Sequence, residues 1–542
     1  MRAPDGTGLV KRVAGGRPGG ARRGPLAAAL PALLMLCCLF GLTATASAAS
    51  PAFSGQALLA RLALQQAMLT AADGATGDTF GCSVAISGDT ALVGAELPGT
   101  LGRANTGAAY VFTRSAGSWT QQAKLIAADG ATGDGFGLSV ALSGETALIG
   151  APGHAVEGKA NAGAAYVFTR SGGVWTQEAE LSSDGDAGDT FGVAVAVLGD
   201  TALVGAPRCD VAGQADAGAA YVFTRSGVAW AQQAELRAAA GAALDGFGRS
   251  VALSGETALI GAPGHTTAGQ VAAGAAYVFA RSGAVWAQQA ALTAASGATD
   301  DWFGHSVALF GEAALIGAPY HDVAGHASGG AAYIFLCSGG VWAQQAELTA
   351  ANGATGDFFG SSVALGGGTA LVGAEECDVA GQEVAGAAYA FVPSGGVWTQ
   401  QAELTAGDDE GTAGDWFGSS VAVSGETALV GAIWADTPGK PRSGAAYVFL
   451  LDAEPQPTPA IVKLKPASGK RGDTVTISGT GFGVARGHGF VKFGATKCIT
   501  YLSWSDTRIK CKAPAAAKFG KVNVTVTTVG GASNAMSFTV KR

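Results

Sequence analysis

The sequence predicts an all-β protein in which a seven-bladed β-propeller is followed by an immunoglobulin-like β-sandwich. A phenylalanine-glycine pair recurs seven times in the 542 residues, at steps of 56, 55, 56, 56, 56 and 58 residues. A fixed period of this size indicates stacked supersecondary units. The 85 glycines, against 14% charged residues, favour short strands joined by turns over helices. The pairs are Phe80-Gly81, Phe136-Gly137, Phe191-Gly192, Phe247-Gly248, Phe303-Gly304, Phe359-Gly360 and Phe417-Gly418.

Each unit contains four apolar runs of strand length separated by glycine-rich turns. Strand A is FGxSVAL, strand B is TALVGA, strand C is GAAYVF, and strand D begins at a tryptophan and alternates as a half-buried strand does. The seventh unit ends at Phe449 without a strand D, whereas a spare copy, LALQQAML, lies at 62–69. We therefore expect the spare strand to close a ring, which removes free sheet edges, within a propeller domain at 49–451.

The first 48 residues predict a secretory signal peptide. Basic residues precede an apolar run from Leu26 to Leu42, and Ala46-Ser47-Ala48 is a suitable cleavage site. The alternative is an N-terminal membrane anchor, although the run is short and contains Pro31. No later segment is apolar for long enough to cross a bilayer, so no transmembrane domain is expected after signal removal. The predicted location is extracellular, secreted or at the cell surface.

A second domain follows a proline-rich linker at 452–460. From 461 to 542 the period is absent, and alternating strands such as VTISG and KVNVTVTTV predict the sandwich. Its two cysteines, Cys498 and Cys511, predict a disulfide, because oxidising surroundings disfavour free thiols. The pairing of the four propeller cysteines stays open: Cys82, Cys209, Cys337 and Cys377.

Charge is distributed unevenly along the chain. Residues 1–48 carry a formal charge of +5 and residues 460–542 carry +12, which leaves −25 for residues 49–459. An acidic body with a basic final domain predicts charge-steered contacts. Anionic surface polymers, or the acidic propeller itself, are the expected partners of the basic domain, and nucleic acid is not expected for an exported protein.

The repeated FGxSVALSGETALVGAP and GAAYVF resemble FG-GAP repeats, which form the seven-bladed propeller of integrin alpha subunits. The resemblance covers roughly residues 62–450. The C-terminal PASGKRGDTVTISGTGFG and TRIKCKAP resemble IPT/TIG domains of cell-surface proteins. Integrin-type repeats often carry an aspartate-rich calcium loop between strands A and B. Here that link is only SGDT, SGET, LGDT, FGEA or GGGT, so the resemblance does not imply calcium.

The long loops, D to A and B to C, share one face of such a ring, and they vary while the strands stay constant. Aromatic residues without a repeat counterpart lie there: Trp302, Tyr320, Trp416 and Trp434. Together with His321-Asp322 they predict a ligand-binding face, because aromatic rings stack on sugars or anchor a partner. The alternatives are local packing for the aromatic residues and a transition-metal site for His321-Asp322 with His326.

An aspartate stands two residues before every phenylalanine-glycine pair, and we expect it to accept backbone N–H groups and fix the turn into strand A. The alternative is a cation site, best at Asp184, Asp186 and Asp189, or at 408–410 with Asp415, since clustered carboxylates suit calcium. No cofactor is otherwise expected.

No sequence motif of a catalytic site is found in the chain: HExxH, GxSxG and phosphate-binding loops are all absent. These features favour a non-enzymatic binding or adhesion protein that recognises protein or glycan. The alternatives are a polysaccharide-active propeller enzyme, which requires convergent carboxylates in the central depression, and a structural surface or matrix component.

Overall fold

The computed structural model describes residues 62–96, 106–394, 396–407, 413–453, 459–482, 490–505, 507–528 and 531–542. The predicted signal peptide, the residues 408–410 and most of the linker lie outside them. No helix long and apolar enough to cross a membrane occurs in this part of the chain.

Residues 62–453 form seven four-stranded antiparallel sheets, one for each repeat. The first strand of the chain is β1 (Leu62–Leu69). Blades one to three follow as β2 (Phe80–Ser87), β3 (Thr90–Ala95), β4 (Ala108–Ser115), β5 (Ser118–Leu125), β6 (Ser139–Ser143), β7 (Thr146–Ala151), β8 (Ala164–Ser171), β9 (Val174–Leu181), β10 (Ala194–Leu198), β11 (Thr201–Ala206), β12 (Ala219–Ser226) and β13 (Ala229–Leu236).

Blades four to seven are β14 (Ser250–Ser254), β15 (Thr257–Ala262), β16 (Ala275–Ser282), β17 (Val285–Leu292), β18 (Ser306–Phe310), β19 (Ala313–Ala318), β20 (Ala331–Ser338), β21 (Val341–Leu348), β22 (Ser362–Gly366), β23 (Thr369–Ala374), β24 (Ala387–Ser394), β25 (Val397–Leu404), β26 (Phe417–Ser424), β27 (Thr427–Ala432) and β28 (Ala445–Ala453).

The N-terminal strand closes the ring. The seventh sheet has the order β1-β28-β27-β26, with Leu69 opposite Ala446 and Met68 opposite Tyr447. The inner strand of each blade contacts the inner strand of the next, and β26 contacts β2. The seven-bladed propeller that the repeats predict is thereby confirmed, with its last blade built from both ends of the domain.

The phenylalanine-glycine pair fixes how neighbouring blades meet. Phe136 is fully buried and packs against Tyr166 and Phe168 of its own blade. Gly137 has a φ of 96°, and a Cβ there would lie 2.4 Å from the Ala108 carbonyl oxygen of the preceding blade. Only glycine satisfies both conditions, so the motif is part of the scaffold.

A serine links each blade to the next in six of the seven repeats. Ser83 donates from Oγ to the carbonyl oxygen of Gly137 at 2.7 Å, and the counterparts in blades two, four, five, six and seven do the same at 2.7 to 2.8 Å. The third blade carries Ala194 at this position. Its contact with the fourth blade therefore lacks one hydrogen bond that the others contain.

The aspartates before the phenylalanine-glycine pair have the predicted structural role. All seven are buried. In six blades the Oδ2 atom accepts the backbone N–H of the residue three positions earlier, at 2.5 to 2.8 Å. The prediction that they fix the turn into strand A is confirmed for Asp78, Asp134, Asp189, Asp245, Asp301 and Asp357.

The second domain is a sandwich of two sheets. Its strands are β29 (Ala460–Lys465), β30 (Ser468–Lys470), β31 (Thr474–Thr480), β32 (Phe490–Phe493), β33 (Thr496–Lys497), β34 (Tyr501–Ser505), β35 (Arg508–Lys512), β36 (Gly520–Thr528), β37 (Gly531–Ala532) and β38 (Met536–Lys541). One sheet has the order β29-β31-β35-β34, and the other has the order β30-β38-β36-β32-β33, with β37 paired to β36. Val475, Ile477, Ile509, Val524 and Phe538 are fully buried in the core.

Cys498 and Cys511 are both buried in that core as reduced thiols. They lie in contact, because a hydrogen bond with Cys498 is the main cause that raises the pKa of Cys511. The predicted disulfide is thus not formed in this structure, although its two sulfur atoms are neighbours, and it stays a prediction for oxidised protein.

Candidate functional site

A cavity of about 840 Å³ opens where the seven inner strands converge. Two positions of each repeat supply most of its lining: the residue after the phenylalanine-glycine pair and the residue after the glycine-alanine that ends strand B. The first position contributes Cys82, Leu138, Val193, Arg249, His305, Ser361 and Ser419, and the second contributes Glu96, Pro152, Pro207, Glu375 and Ile433. The motif residues next to these two positions are nearly the same in every repeat. The cavity is therefore lined mainly by the positions at which the repeats differ.

Two carboxylates face this cavity. Burial and the neighbouring Glu376 raise the pKa of Glu375 to about 7, and burial raises the pKa of Glu96. Neither forms a salt bridge within the described residues. Glu96 lies beside Cys82, and burial followed by that negative charge raises the pKa of the thiol to about 12. The Cys82 thiol is therefore protonated at neutral pH, and burial weakens the acidity of both cavity carboxyl groups.

Basic groups stand at neighbouring positions of the fourth and fifth blades. The Arg249 side chain is exposed to the cavity, and desolvation by the surrounding protein atoms lowers its pKa. Arg249 forms no salt bridge with any described residue. Burial, with a contribution from Arg249, lowers the pKa of His305 to about 3, and its buried Nδ1 has no hydrogen-bond partner. The cavity thus offers the unpaired Arg249 guanidinium, a second cation at Arg208, and one neutral imidazole to a ligand.

The predicted aromatic residues form two groups. On the fifth blade, Trp302 and Tyr320 pack edge to face at 5.0 Å, and Phe358 of the next blade joins Tyr320 at 5.2 Å. The phenol of Tyr320 is close enough to affect the pKa of Arg249, which connects this group to the cavity. Trp302 and Tyr320 remain 37% and 39% exposed, enough to offer ring faces to a partner.

The second group is on the seventh blade. Trp416 and Trp434 pack edge to face with ring centres 6.4 Å apart, and the Arg442 guanidinium lies 5.8 Å from the Trp434 ring. Both tryptophans are half-buried. The four predicted aromatic residues thus form two packed pairs, one on the fifth blade and one on the seventh.

Three of these rings occupy strained backbone positions. The residue before the phenylalanine-glycine pair is left-handed in all seven blades, and glycine occupies it in blades two and four, as Gly135 and Gly246. Trp302, Phe358 and Trp416 adopt φ values of 57°, 53° and 56° there. A bulky residue in this region costs about 1 kcal/mol or more relative to glycine. The aromatic residues at these three positions therefore make the fold less stable than glycine would.

His321 and Asp322 have partners inside the fold. His321 is buried, with Nδ1 2.8 Å from Asp301 Oδ2, and that hydrogen bond raises its pKa. Asp322 accepts the backbone N–H of Ser328 at 2.9 Å. Three other blades make the same loop contact through Asp210, Asp378 and Asp436. The predicted pair therefore orders its loop.

The predicted cation site at Asp184, Asp186 and Asp189 does not converge. Asp189 accepts the backbone N–H of Asp186, the Asp186 side chain is 92% exposed, and Lys159 donates to the carbonyl oxygens of Asp184 and Gly185. Within the described residues, one group of three His, Cys, Asp or Glu side chains has all its ligand atoms within 4.8 Å of one another: Asp129, His154 and Glu180.

Sequence reasoning missed Glu96, Arg249 and Glu375 as site residues. A signal was present, since the positions after the phenylalanine-glycine and glycine-alanine pairs change between nearly identical repeats.

Comparisons with known proteins agree with this architecture. The family model described as FG-GAP repeat matches residues 64–112, 119–168, 175–223, 230–279, 286–335, 342–391 and 398–449, and the IPT/TIG domain model matches 459–540. A solved fungal alcohol oxidase of the AA5 family, in complex with copper, has a TM-score of 0.41 and 11% identity over 88% of this chain and 99% of that chain.

Curated relatives match shorter stretches. Cyclomaltodextrin glucanotransferases are 40% identical over 77 residues in Thermoanaerobacterium thermosulfurigenes, 41% over 80 residues in Paenibacillus macerans, and 33% over 112 residues in Niallia circulans. These matches cover 14%, 14% and 21% of this chain and 10%, 11% and 15% of the relatives. The chain therefore spans only a small part of their length.

Proposed function

Because the chain belongs to the FG-GAP repeat family and continues into an IPT/TIG domain, we propose that it is a non-enzymatic binding protein, secreted or held at the cell surface. It recognises an extracellular protein or glycan at the long-loop face of the propeller. The observation that carries the proposal is where the repeats differ: side-chain variety is concentrated at the central cavity and in the aromatic groups beside it.

The chemistry of this face suits a polar ligand with flat apolar surfaces. Trp302 and Tyr320 offer exposed ring faces next to the unpaired Arg249. Aromatic rings that stack on sugars or anchor a partner are frequent in recognition sites. The left-handed backbone at Trp302 supports a functional reason for an aromatic residue there. The glucanotransferase relatives support a carbohydrate among the candidate ligands.

The test is a binding screen of the full chain against glycans and cell-surface proteins, followed by variants on the two faces. The double variant W302G/Y320A should lose at least tenfold in affinity and still fold, because Gly135 and Gly246 show that glycine fits the Trp302 position. The matched control is F310A, which removes a 55% exposed phenylalanine from an A-to-B hairpin on the opposite face. Affinity that falls equally in F310A would count against the proposed face. Absence of binding, together with self-assembly at micromolar concentration, would support a structural component instead.

A polysaccharide-active enzyme is the second candidate, and the two cavity carboxylates favour it. Glycoside hydrolysis needs one protonated and one ionised carboxyl group on either side of the scissile bond. Glu375, whose pKa is about 7, suits the acid. Release of reducing ends from polysaccharide by the native chain, abolished in both E375Q and E96Q, would establish this function and overturn the non-enzymatic one.

The basic C-terminal domain provides a second contact in this proposal. Its exposed lysines include Lys463, Lys465, Lys510, Lys512 and Lys518. Binding to an anionic surface polymer should weaken steeply with salt, because exposed charges are screened within about 8 Å at physiological ionic strength. Retention on an anionic polysaccharide column that is independent of salt, or unchanged after charge reversal of these lysines, would contradict this contact.

A further inference from the structure

Three metal-ligand side chains converge on the second blade, and none of them is part of the lining of the central cavity. Asp129 lies in the loop that enters the blade, His154 in the loop between β7 and β8, and Glu180 near the end of β9. His154 Nε2 lies 3.8 Å from Asp129 Oδ2 and 3.8 Å from Glu180 Oε1. These distances are too long for hydrogen bonds, so His154 Nε2 is not directly bonded to either carboxylate.

A buried carboxylate orients the histidine. Asp134 Oδ2 lies 2.9 Å from His154 Nδ1 and also accepts the backbone N–H of Ala131 at 2.7 Å. In the neutral imidazole, an ionised carboxylate at this place holds the proton on Nδ1, which leaves the Nε2 lone pair directed at Asp129 and Glu180. Metal-binding histidines are commonly fixed by a carboxylate in this way.

The Tyr166 hydroxyl is an independent sign that a ligand is needed here. Tyr166 is fully buried, its ring packs edge to face on His154, and its hydroxyl lies beside Asp129 and Glu180. That hydroxyl has no hydrogen-bond partner within the described residues. Buried hydroxyls are almost always paired in folded proteins, and a metal-bound water would supply the missing partner.

In three other blades, the residues at the positions equivalent to Asp129 and Glu180 form hydrogen bonds or ion pairs with each other. In blade one, Lys124 pairs with Asp73 at 2.6 Å. In blade five, Ser296 donates to Glu347 at 3.0 Å and contacts the Tyr333 hydroxyl at 3.1 Å. In blade six, Asn352 donates to Glu403 at 3.2 Å, and the Tyr389 hydroxyl also reaches that carboxylate. Each of these blades places a donor between the loop and strand D.

Blades three and four differ in other ways. Blade three also has two acids, Asp184 and Glu235, but Arg237 pairs with Glu235 at 2.5 Å and Cys209 replaces the histidine. Blade four keeps the histidine, His265, held by Asp245 at 2.8 Å, but carries Ala240 and Ala291 in place of the acids. Of these six blades, the second alone combines two unpaired acids with a carboxylate-oriented histidine.

We propose that Asp129, His154 and Glu180 bind one divalent transition-metal ion, for which Zn²⁺ is the best fit. One nitrogen and two carboxylate ligands match the donor types of zinc, whereas calcium takes six to eight oxygen ligands. Tetrahedral zinc with bonds of about 2.1 Å separates its ligand atoms by about 3.4 Å. The side chains of Asp129 and Glu180 are 47% and 35% exposed, so they can move the few tenths of an ångström required. The fourth position remains for water near the Tyr166 hydroxyl.

The test measures zinc stoichiometry and affinity by isothermal titration of the tag-free, chelator-treated full chain. Wild-type protein should bind one equivalent that D129N/E180Q loses, since these substitutions keep the shape and remove the ligand charge. The natural pattern of blade four provides the reverse experiment. A240D/A291E adds both acids next to the oriented His265 and should bind a second equivalent. Co²⁺ in place of Zn²⁺ should give the visible absorption of a tetrahedral site only where an equivalent is bound.

Two matched variants separate metal binding from stability. D134N and D245N remove the same negative charge from the turn and from the histidine partner in blades two and four. Both should lower stability similarly, but only D134N should weaken zinc binding, by about 10 to 100-fold. Zinc binding that is unchanged in D129N/E180Q, or absent from the wild-type chain, would overturn the proposal. The site is independent of ligand recognition at the central cavity, so failure of one does not affect the other.

Discussion

Arg249 and His305 occupy equivalent positions in neighbouring repeats, each directly after a phenylalanine-glycine pair, and both line the central cavity. Two effects lower the pKa of His305 to about 3: burial, which is the larger, and the positive charge of Arg249, which is the smaller. At neutral pH the pair is therefore a cation beside a neutral imidazole. A ligand with an anionic or strongly accepting group next to a hydrogen-bond donor would match both.

Replacing Arg249 should raise the pKa of His305. In R249M the repulsion by the guanidinium is gone while burial remains, so the new pKa should lie between about 3 and the ordinary value. Nuclear magnetic resonance of histidine-labelled protein, with the His305 signal assigned through H305Q, measures the titration from pH 3.5 upward. R208M is the control, because Arg208 lines the same cavity but does not contribute to the His305 shift. An identical titration in wild type and R249M would contradict the coupling.

Glu375 should make the fold less stable as pH rises from 4.5 to 7. Its pKa is about 7 in the folded protein and near 4.5 in the unfolded chain, so only the folded state retains the proton in this window. Stability falls with pH wherever the folded state binds more protons than the unfolded state. Urea unfolding of E375Q should therefore show a stability gain over wild type that grows between pH 4.5 and 7 and then levels off. Exposed E383Q is the control, and a gain that is the same at every pH would refute the assignment.

The repeating residues made the fold predictable because they act locally and identically in every copy. Phe136, Gly137 and Asp134 each satisfy a packing, backbone or hydrogen-bond requirement that recurs every turn of the ring. The closing strand at 62–69 followed from counting strands, since a ring with one missing edge strand has one place for a spare copy. Because the repeats align with one another, each aromatic residue without a repeat counterpart could also be assigned to a loop of a particular blade.

The site chemistry was less predictable because it depends on convergence across blades. Glu96 and Glu375 are 279 positions apart in the sequence and line the same cavity only because each directly follows strand B of its blade. Asp129, His154 and Glu180 come from two loops and an outer strand, and no short motif joins them. Asp184, Asp186 and Asp189 formed the more apparent motif, but Asp189 accepts a backbone N–H within its turn and the exposed Asp186 carboxylate lies 3.8 Å from Lys159 Nζ.

Ala194 occupies the position at which the other six repeats have a serine that bonds to the next blade. The substitution A194S should therefore stabilise the propeller. The new hydroxyl should reach the Gly248 carbonyl oxygen as Ser83 reaches Gly137 in blade one. A hydrogen bond of this kind adds about 1 kcal/mol to the free energy of unfolding. S306A, which removes the same bond from blade five, should lose about 1 kcal/mol. Urea unfolding of the three proteins checks both signs, and a destabilised A194S would show that the third blade packs differently at this contact.

Oxidation should join Cys498 and Cys511, because the two buried thiols already touch in the reduced domain. A bond that closes this 14-residue loop should raise stability by about 3 kcal/mol in the loop-entropy account. Thiol labelling under denaturing, non-reducing conditions should then find four free thiols among the six cysteines that follow residue 48. The C498S/C511S variant should also give four, but without the added stability, which distinguishes the bond from mere inaccessibility. Labelling of all six after mild oxidation would show that the pair remains reduced, and the buried Cys498 thiol would then keep its hydrogen bond to the Lys512 carbonyl oxygen at 3.1 Å.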